Sequence, residues 1–277
     1  MKTKTNAEML KAIKQYNKTA REDKAKKEGF KNATEMIKLL DLLVTAGKGS
    51  LPFKGASVVV PQEKKKPIVK VKVGVKPTIH VIDVLDSSGS MSGGKIAAAI
   101  KGVNHGIETI KNDKVDVNYT YTLCDFSDDL IFRYTLADLK TVSNFRGGTR
   151  GSTALYDAIG KSVALVKPSV KDTDKVLVNI YTDGEENTSR RFRANDIASL
   201  IEELSKVGWT FTFIGTQRDV DFAQRNLKFD ISNTLVHDNT PESLSRGMQV
   251  NSVSRSAYSS KVAAGEDVSK GFYKDIE

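Results

Sequence analysis

Thr78 to Lys95 reads TIHVIDVLDSSGSMSGGK, an apolar run that stops on Asp86-Ser87-Ser88-Gly89-Ser90 before a small-residue loop and a helical segment. Strand, turn and helix in that order open an α/β layer, and this constrains the chain more than any other stretch. Residues 86, 88 and 90 can point the same way as the chain leaves the strand. One carboxylate and two hydroxyls would then stand at the carboxyl edge of a sheet. Hard oxygen donors of low total charge suit Mg²⁺ or Mn²⁺ rather than zinc or a soft metal.

From Ile79 onward strand and helix patterns alternate. The strands expected are 79–86, 115–124, 130–134, 175–182 and 209–215, with a weaker one near 234–237. The helices expected are 94–112, 153–167, 193–207, 219–228 and 241–263. Val176 to Tyr181 and Phe211 to Ile214 are apolar without alternation, as central strands covered on both faces are. The pair 115–124 and 130–134, joined by Asp125 to Asp129, reads instead as a hairpin at one edge. The expected fold is α/β: a doubly wound, mostly parallel sheet flanked by helices, with a helical extension before it. Residues 1–67 form that basic extension and linker, and residues 68–277 the main domain with its C-terminal helix and tail.

Charge divides the chain in the same place. Residues 1–70 hold 17 Lys and Arg against 7 Asp and Glu, while the other 207 hold 26 against 27. The net +9 therefore belongs to the extension, where nucleic acid, an anionic membrane or an acidic protein could meet it. Aromatic residues and arginines are scarce there, which favours a merely solvated lysine face. Residues 6–28 read as a charged helix. A second, with Met36, Ile37, Leu39, Leu40, Leu42 and Leu43 on a wide apolar face, needs cover from its own domain or from a second copy. Residues 68–75 alternate valines with lysines or glycine, as an edge strand does.

No apolar run reaches eighteen residues, so a membrane span is not expected. The first residues lack the apolar core of a signal peptide, and Cys124 is the single cysteine. Both readings point to a reducing, cytoplasmic setting, the host cytoplasm if a phage encodes the chain. Cys124 reads as a small buried hydrophobe, Trp209 as packing, and His80, His105 and His237 as structural. Asp83, inside the first strand, receives no role.

In open α/β sheets ligands bind beyond the carboxyl ends of the strands, and two more loops stand there. One is Gly147-Gly148-Thr149-Arg150-Gly151-Ser152-Thr153, running into a helix that starts Ala154-Leu155-Tyr156-Asp157. The other is Thr182-Asp183-Gly184-Glu185-Glu186-Asn187, directly after the strand 175–182. D-x-S-x-S, then G-S-T-A-L-Y-D-A, then Y-T-D-G-E-E-N, in that order, resembles the von Willebrand factor type A domain and its metal-ion-dependent adhesion site, over residues 76–263. TDGEENTSR and FIGTQRDVDFA are similar to stand-alone bacterial and phage members.

The resemblance implies Mg²⁺, with Mn²⁺ as its substitute, held by Asp86, Ser88, Ser90, Thr153 and Asp183. It implies a coordination position left for an Asp or Glu of a partner protein, rimmed by Ser87, Gly89, Met91, Ser152, Gly184 and Glu185. A binding module acting as scaffold or adaptor, not an enzyme, is the function it implies. Thr149 rivals Thr153, but the helix start Ala154-Leu155-Tyr156-Asp157 follows Thr153 as the family pattern requires. Glu185 and Glu186 read as solvated loop acids rather than ligands.

Other readings compete. A serine-rich loop after a strand also serves as a helix cap, with Ser92 or Gly93 in that role. Gly89 to Lys95 spells G-x-x-x-x-G-K, the start of a phosphate-cradling loop, which would make the chain a P-loop-like NTPase. Ile96 then stands where that loop needs Ser or Thr for Mg²⁺, and Asp86, Ser88 and Ser90 have no task. A nucleic-acid-associated protein using the basic extension is the third reading.

Overall fold

A computed structural model describes residues 76–274. The two helices expected before residue 44, the edge strand 68–75 and the division at residue 67 lie outside the described residues.

The described chain runs β1 (Thr78–Asp86), α1 (Lys95–Lys111), β2 (Asn118–Phe126), β3 (Leu130–Asp138), α2 (Leu155–Val166), β4 (Lys175–Tyr181), α3 (Ala194–Ser205), β5 (Trp209–Gly215), α4 (Gln217–Asn226), β6 (Thr234–Val236) and α5 (Pro241–Ala263). The six strands form one sheet in the order β3-β2-β1-β4-β5-β6. All neighbours are parallel except β2 and β3, the expected edge hairpin. Both of its strands run further than the sequence suggests, β2 to Phe126 and β3 to Asp138. Asp125, which read as part of the turn, is instead buried and held by Ser87, Arg133 and Arg150.

Alternation along β1 sorts the core into two layers. Ile79, Val81 and Leu85 pack with α1 and α5 on one face, and Ile82 and Val84 with α2, α3 and α4 on the other. Burying each such side chain contributes roughly 1.5–3 kcal/mol. On α1 the buried residues Ala99, Val103, Gly106, Ile107 and Ile110 keep helical spacing and form the stripe that meets the sheet and α5. At Gly102 the helices touch so closely that a Cβ would lie 2.5 Å from the Met248 Cβ. Glycine is required there for the approach, not for a turn.

Cap chemistry sets the helix starts. Thr216 accepts from the Asp219 amide while Asp219 reaches back to the Thr216 amide, so α4 begins two residues earlier than its apolar pattern suggests. Thr240 accepts from the Ser243 amide, with Pro241 in the first turn of α5. Ser92 and Gly93 do not cap α1; its N-cap is Gly94, left-handed at φ 97° and without a side-chain cap.

This connectivity fixes where a site can form. From β1 the chain passes to β2 on one side, whereas β4 lies on the other side of β1 and leads on to β5 and β6. The strand order therefore reverses between β1 and β4, whose ends pair at Leu85 and Tyr181. The crevice beyond those ends is the natural binding place of such a sheet.

Candidate metal centre

Asp86 is the last residue of β1 and is fully buried. One carboxylate oxygen accepts from the Ser88 amide at 2.7 Å and the other from the Thr182 hydroxyl at 2.6 Å. Burial pushes its pKa up from 3.8 to about 6 against the pull of those bonds, and the nearby Asp183 charge adds to the rise. Ser88 is buried behind it, its hydroxyl 2.9 Å from that of the exposed Ser90.

Asp183 follows β4 on the other side of the crevice. Its side chain is fully buried, yet neither carboxylate oxygen receives a hydrogen bond of normal geometry. Its one close partner is the ammonium of Lys95, which lies against Oδ2. Burying a carboxylate with so few partners is costly, and such a group calls for positive charge beside it.

Thr153 closes the third side. Its amide donates to the Asn187 side chain at 2.9 Å, and its carbonyl accepts from the amides of Asn187 and Thr188 at 3.0 and 3.3 Å. The loop after β4 thus clasps the loop before α2. Thr153 is buried and Thr149 is exposed. The space beside Gly184 reveals the convergence. A Cβ there would lie 2.9 Å from the Ser90 hydroxyl, 3.2 Å from the Thr153 hydroxyl and 3.4 Å from Asp86 Oδ2. Three oxygens from two loops, the one leaving β1 and the one before α2, therefore face one point beside the third.

Residues that sequence reasoning passed over hold the loops in place. Asp125, at the end of β2, is fully buried and accepts from the Ser87 hydroxyl, from Arg133 at 2.7 and 3.1 Å, and from Arg150 at 3.1 Å. Backbone bonds add Arg150 N to Ser87 O at 2.6 Å and Gly89 N to Gly151 O at 3.1 Å. Glu186 is no solvated acid. It accepts from the Tyr156, Thr188 and Ser189 amides and so ties the start of α2 to the loop after β4. Asp157 accepts from the amides of residues 190–192, holding the same loop from its far end. An acidic residue near a helix start was the available signal.

The expected rim divides. Gly89, Ser152 and Glu185 are exposed and Gly184 is partly so, with Glu185 paired to Arg218 at the surface. Ser87 and Met91 are each 1% exposed, so neither can meet a partner. Ser87 is turned inward by Asp125, and Met91 packs into the core beside α1. A cleft of about 170 Å³ opens beside Gly184, floored by Leu155, Phe213 and Phe222.

The remaining expectations separate cleanly. Cys124 is buried, and desolvation raises its thiol pKa to about 12. Trp209 stacks on Phe211 at 6.1 Å between ring centres. His80 sits between Thr120 at 2.7 Å and Asp174 at 3.2 Å, far from the crevice at the opposite end of β1. In the phosphate-loop reading Lys95 would be free for phosphate, whereas it is turned to Asp183 and to Asn239 at 2.7 Å.

The donor set fits a small hard cation: two buried carboxylates, of which Asp183 has only the Lys95 ammonium for a partner, the converging Ser90 and Thr153 hydroxyls, and the Ser88 hydroxyl beside Ser90. Among the described residues no group of three or more His, Cys, Asp or Glu side chains could hold a metal. No described helix is long and apolar enough to cross a membrane.

No protein-family model matches the chain, and no curated protein does. Solved structures do match. The pilus adhesin SpaC from Lactobacillus rhamnosus GG, in its open conformation, aligns with a TM-score of 0.51 at 13% identity, covering 69% of this chain and 30% of that one. The vWF domain of the type V pili tip protein Mfa5 from Porphyromonas gingivalis aligns at 0.50 and 12%, covering 66% and 96%. The ArnB paralog VWA2 from Sulfolobus acidocaldarius aligns at 0.46 and 20%, covering 63% and 45%. The chain thus spans less than half the length of SpaC and VWA2. At these identities the likeness is one of architecture, and the architecture is that of the von Willebrand factor type A domain.

Proposed function

We propose that the protein is a metal-dependent protein-binding module, a scaffold or adaptor rather than an enzyme. Asp86, Ser88, Ser90, Thr153 and Asp183 would hold Mg²⁺, or Mn²⁺ in its place. When bound, the cation supplies an electrophilic position for an Asp or Glu oxygen of another protein. The observation that carries this reading is the convergence of the Asp86, Ser90 and Thr153 oxygens beside Gly184, with the fully buried Asp183 carboxylate near Asp86 and partnered only by the Lys95 ammonium.

The chain's own residues would do the rest. Asp125, with its two arginines, fixes the loop of Ser88 and Ser90 against the loop of Thr153. Glu186 and Asn187 hold Thr153 beside Asp183. Exposed Gly89, Ser152 and Glu185 leave the crevice open from above, and the cleft floored by Leu155, Phe213 and Phe222 would take an apolar side chain next to the partner's acid. The single, buried cysteine suits a cytoplasmic setting.

Calorimetric titration with Mg²⁺ tests the site. Asp86→Ala and Thr153→Ala should each weaken binding at least about 100-fold while the domain stays folded, because loop ligands contribute little to the core. Undiminished affinity in both variants would remove the assignment. Partner recovery from a pull-down should fall when EDTA replaces Mg²⁺, and equal recovery in both would separate the contact from the metal.

A further inference from the structure

We infer that Lys95 is a resident counter-cation of this site, one that competes with a divalent ion for Asp183 and so holds metal affinity down. The inference rests on the metal-site reading above. Lys95 opens α1, its side chain is only 12% exposed, and its ammonium lies against Asp183 Oδ2. A second anchor, the Asn239 side chain at 2.7 Å, comes from the connection between β6 and α5. The lysine is therefore held between two elements rather than lying loosely on the surface.

Its position has no local justification. The N-terminus of a helix carries partial positive charge and favours acidic residues, so a lysine in the first turn is placed against the dipole. The first turn of α1 holds no acidic residue to offset it. Asp183 provides the reason, since its buried carboxylate has no other partner and Lys95 supplies the positive charge it needs. With Asp86 and Asp183 ionised, the cluster carries −1 in the presence of Lys95 and would carry −2 without it. A divalent cation entering the cluster meets either a repelling ammonium or a vacated carboxylate. With Lys95 retained, the loaded cluster keeps a net +1, which favours an anionic partner.

The test is Mg²⁺ titration of the full chain and of Lys95→Met, which keeps the aliphatic stem and deletes the charge. Lys95→Met should bind Mg²⁺ about 10- to 100-fold more tightly, since a unit charge in contact is worth that much at a half-buried site. Its melting temperature should fall in EDTA and rise further on adding Mg²⁺ than that of the parent. Asn239→Ala loosens only the second anchor and should tighten Mg²⁺ binding about two- to fivefold by the same reasoning. That variant decides the matter if Lys95→Met does not fold. Mg²⁺ binding by the parent with equal or weaker binding by the folded variants would overturn the role of Lys95 alone. Folded parent and variants that all ignore both Mg²⁺ and Mn²⁺ would overturn the metal reading as well.

Discussion

Asp83 and Asp86 lie three residues apart on β1, and both are fully buried. Around Asp83, one oxygen accepts from Tyr121 at 2.7 Å and the other from Asn179 at 2.9 Å, Tyr181 at 3.3 Å and the guanidinium of Arg255. Burial holds the Tyr121 and Tyr181 hydroxyls well above their ordinary pKa, so both remain donors. Arg255 is itself buried on α5, with Nε and Nη1 left without a protein partner. Asp86 has two donors, a raised pKa and another aspartate for a neighbour. A buried carboxylate surrounded by donors and a countercharge is part of the frame. One that lies near a second carboxylate, itself partnered only by Lys95, is the kind of group that marks a candidate site.

The contrast breaks first at Arg255. Arg255→Met leaves Asp83 in the core without its countercharge, and urea unfolding should show a loss of about 3–5 kcal/mol. The paired variant Asp83→Leu with Arg255→Met should recover part of that loss. A cost for Arg255→Met below about 1 kcal/mol would mean that the cluster is not a strut.

The pH dependence of stability, measured in EDTA, should separate the two aspartates next. Asp86 titrates at about 6 in the folded protein and near 3.8 when unfolded. Between those values the folded state holds a proton that the unfolded state has released. Its contribution is therefore complete below pH 3.8 and is lost as pH rises through about 6, by at most roughly 3 kcal/mol. Asp86→Asn should flatten this slope. Saturating Mg²⁺ should flatten or reverse it, since a bound cation favours the ionised form. An identical slope in Asp86→Asn would assign it to another group.

Gly184→Ala is the mildest probe. The new methyl would enter the space faced by Ser90, Thr153 and Asp86. Mg²⁺ affinity should fall about tenfold because this ion demands near-ideal oxygen geometry. Unfolding free energy should change by less than about 1 kcal/mol, as at other surface loops. Unchanged affinity would place the cation elsewhere in the crevice.

Much of this was legible in the residues. The three loop motifs marked Asp86, Thr153 and Asp183, and the structure brings those loops to one crevice because strand order reverses between β1 and β4. Ser87 and Met91 were misplaced at the rim because spacing along a loop does not say which side chains turn inward. Asp125 turns Ser87, and the core takes Met91. Glu186 looked solvated because a loop acid carries no sign of the amides it will meet, two in its own loop and one at the start of α2. Lys95 was legible only as the end of a phosphate-loop pattern, and nothing near it in sequence names Asp183 as its partner.

What the sequence by itself determined is the succession of strands and helices, the buried centre of the sheet and the chemistry of the loops. Hydrophobic period, turn residues and ligand-type side chains are local properties, readable within a few residues. Only the tertiary structure decided which countercharge each buried aspartate meets. Asp83 meets Arg255 across 172 residues of chain, and Asp183 meets Lys95 across a crevice that exists only once β1 and β4 pair. Charge compensation in a core depends on distance in space, and distance in space is set by the whole fold at once.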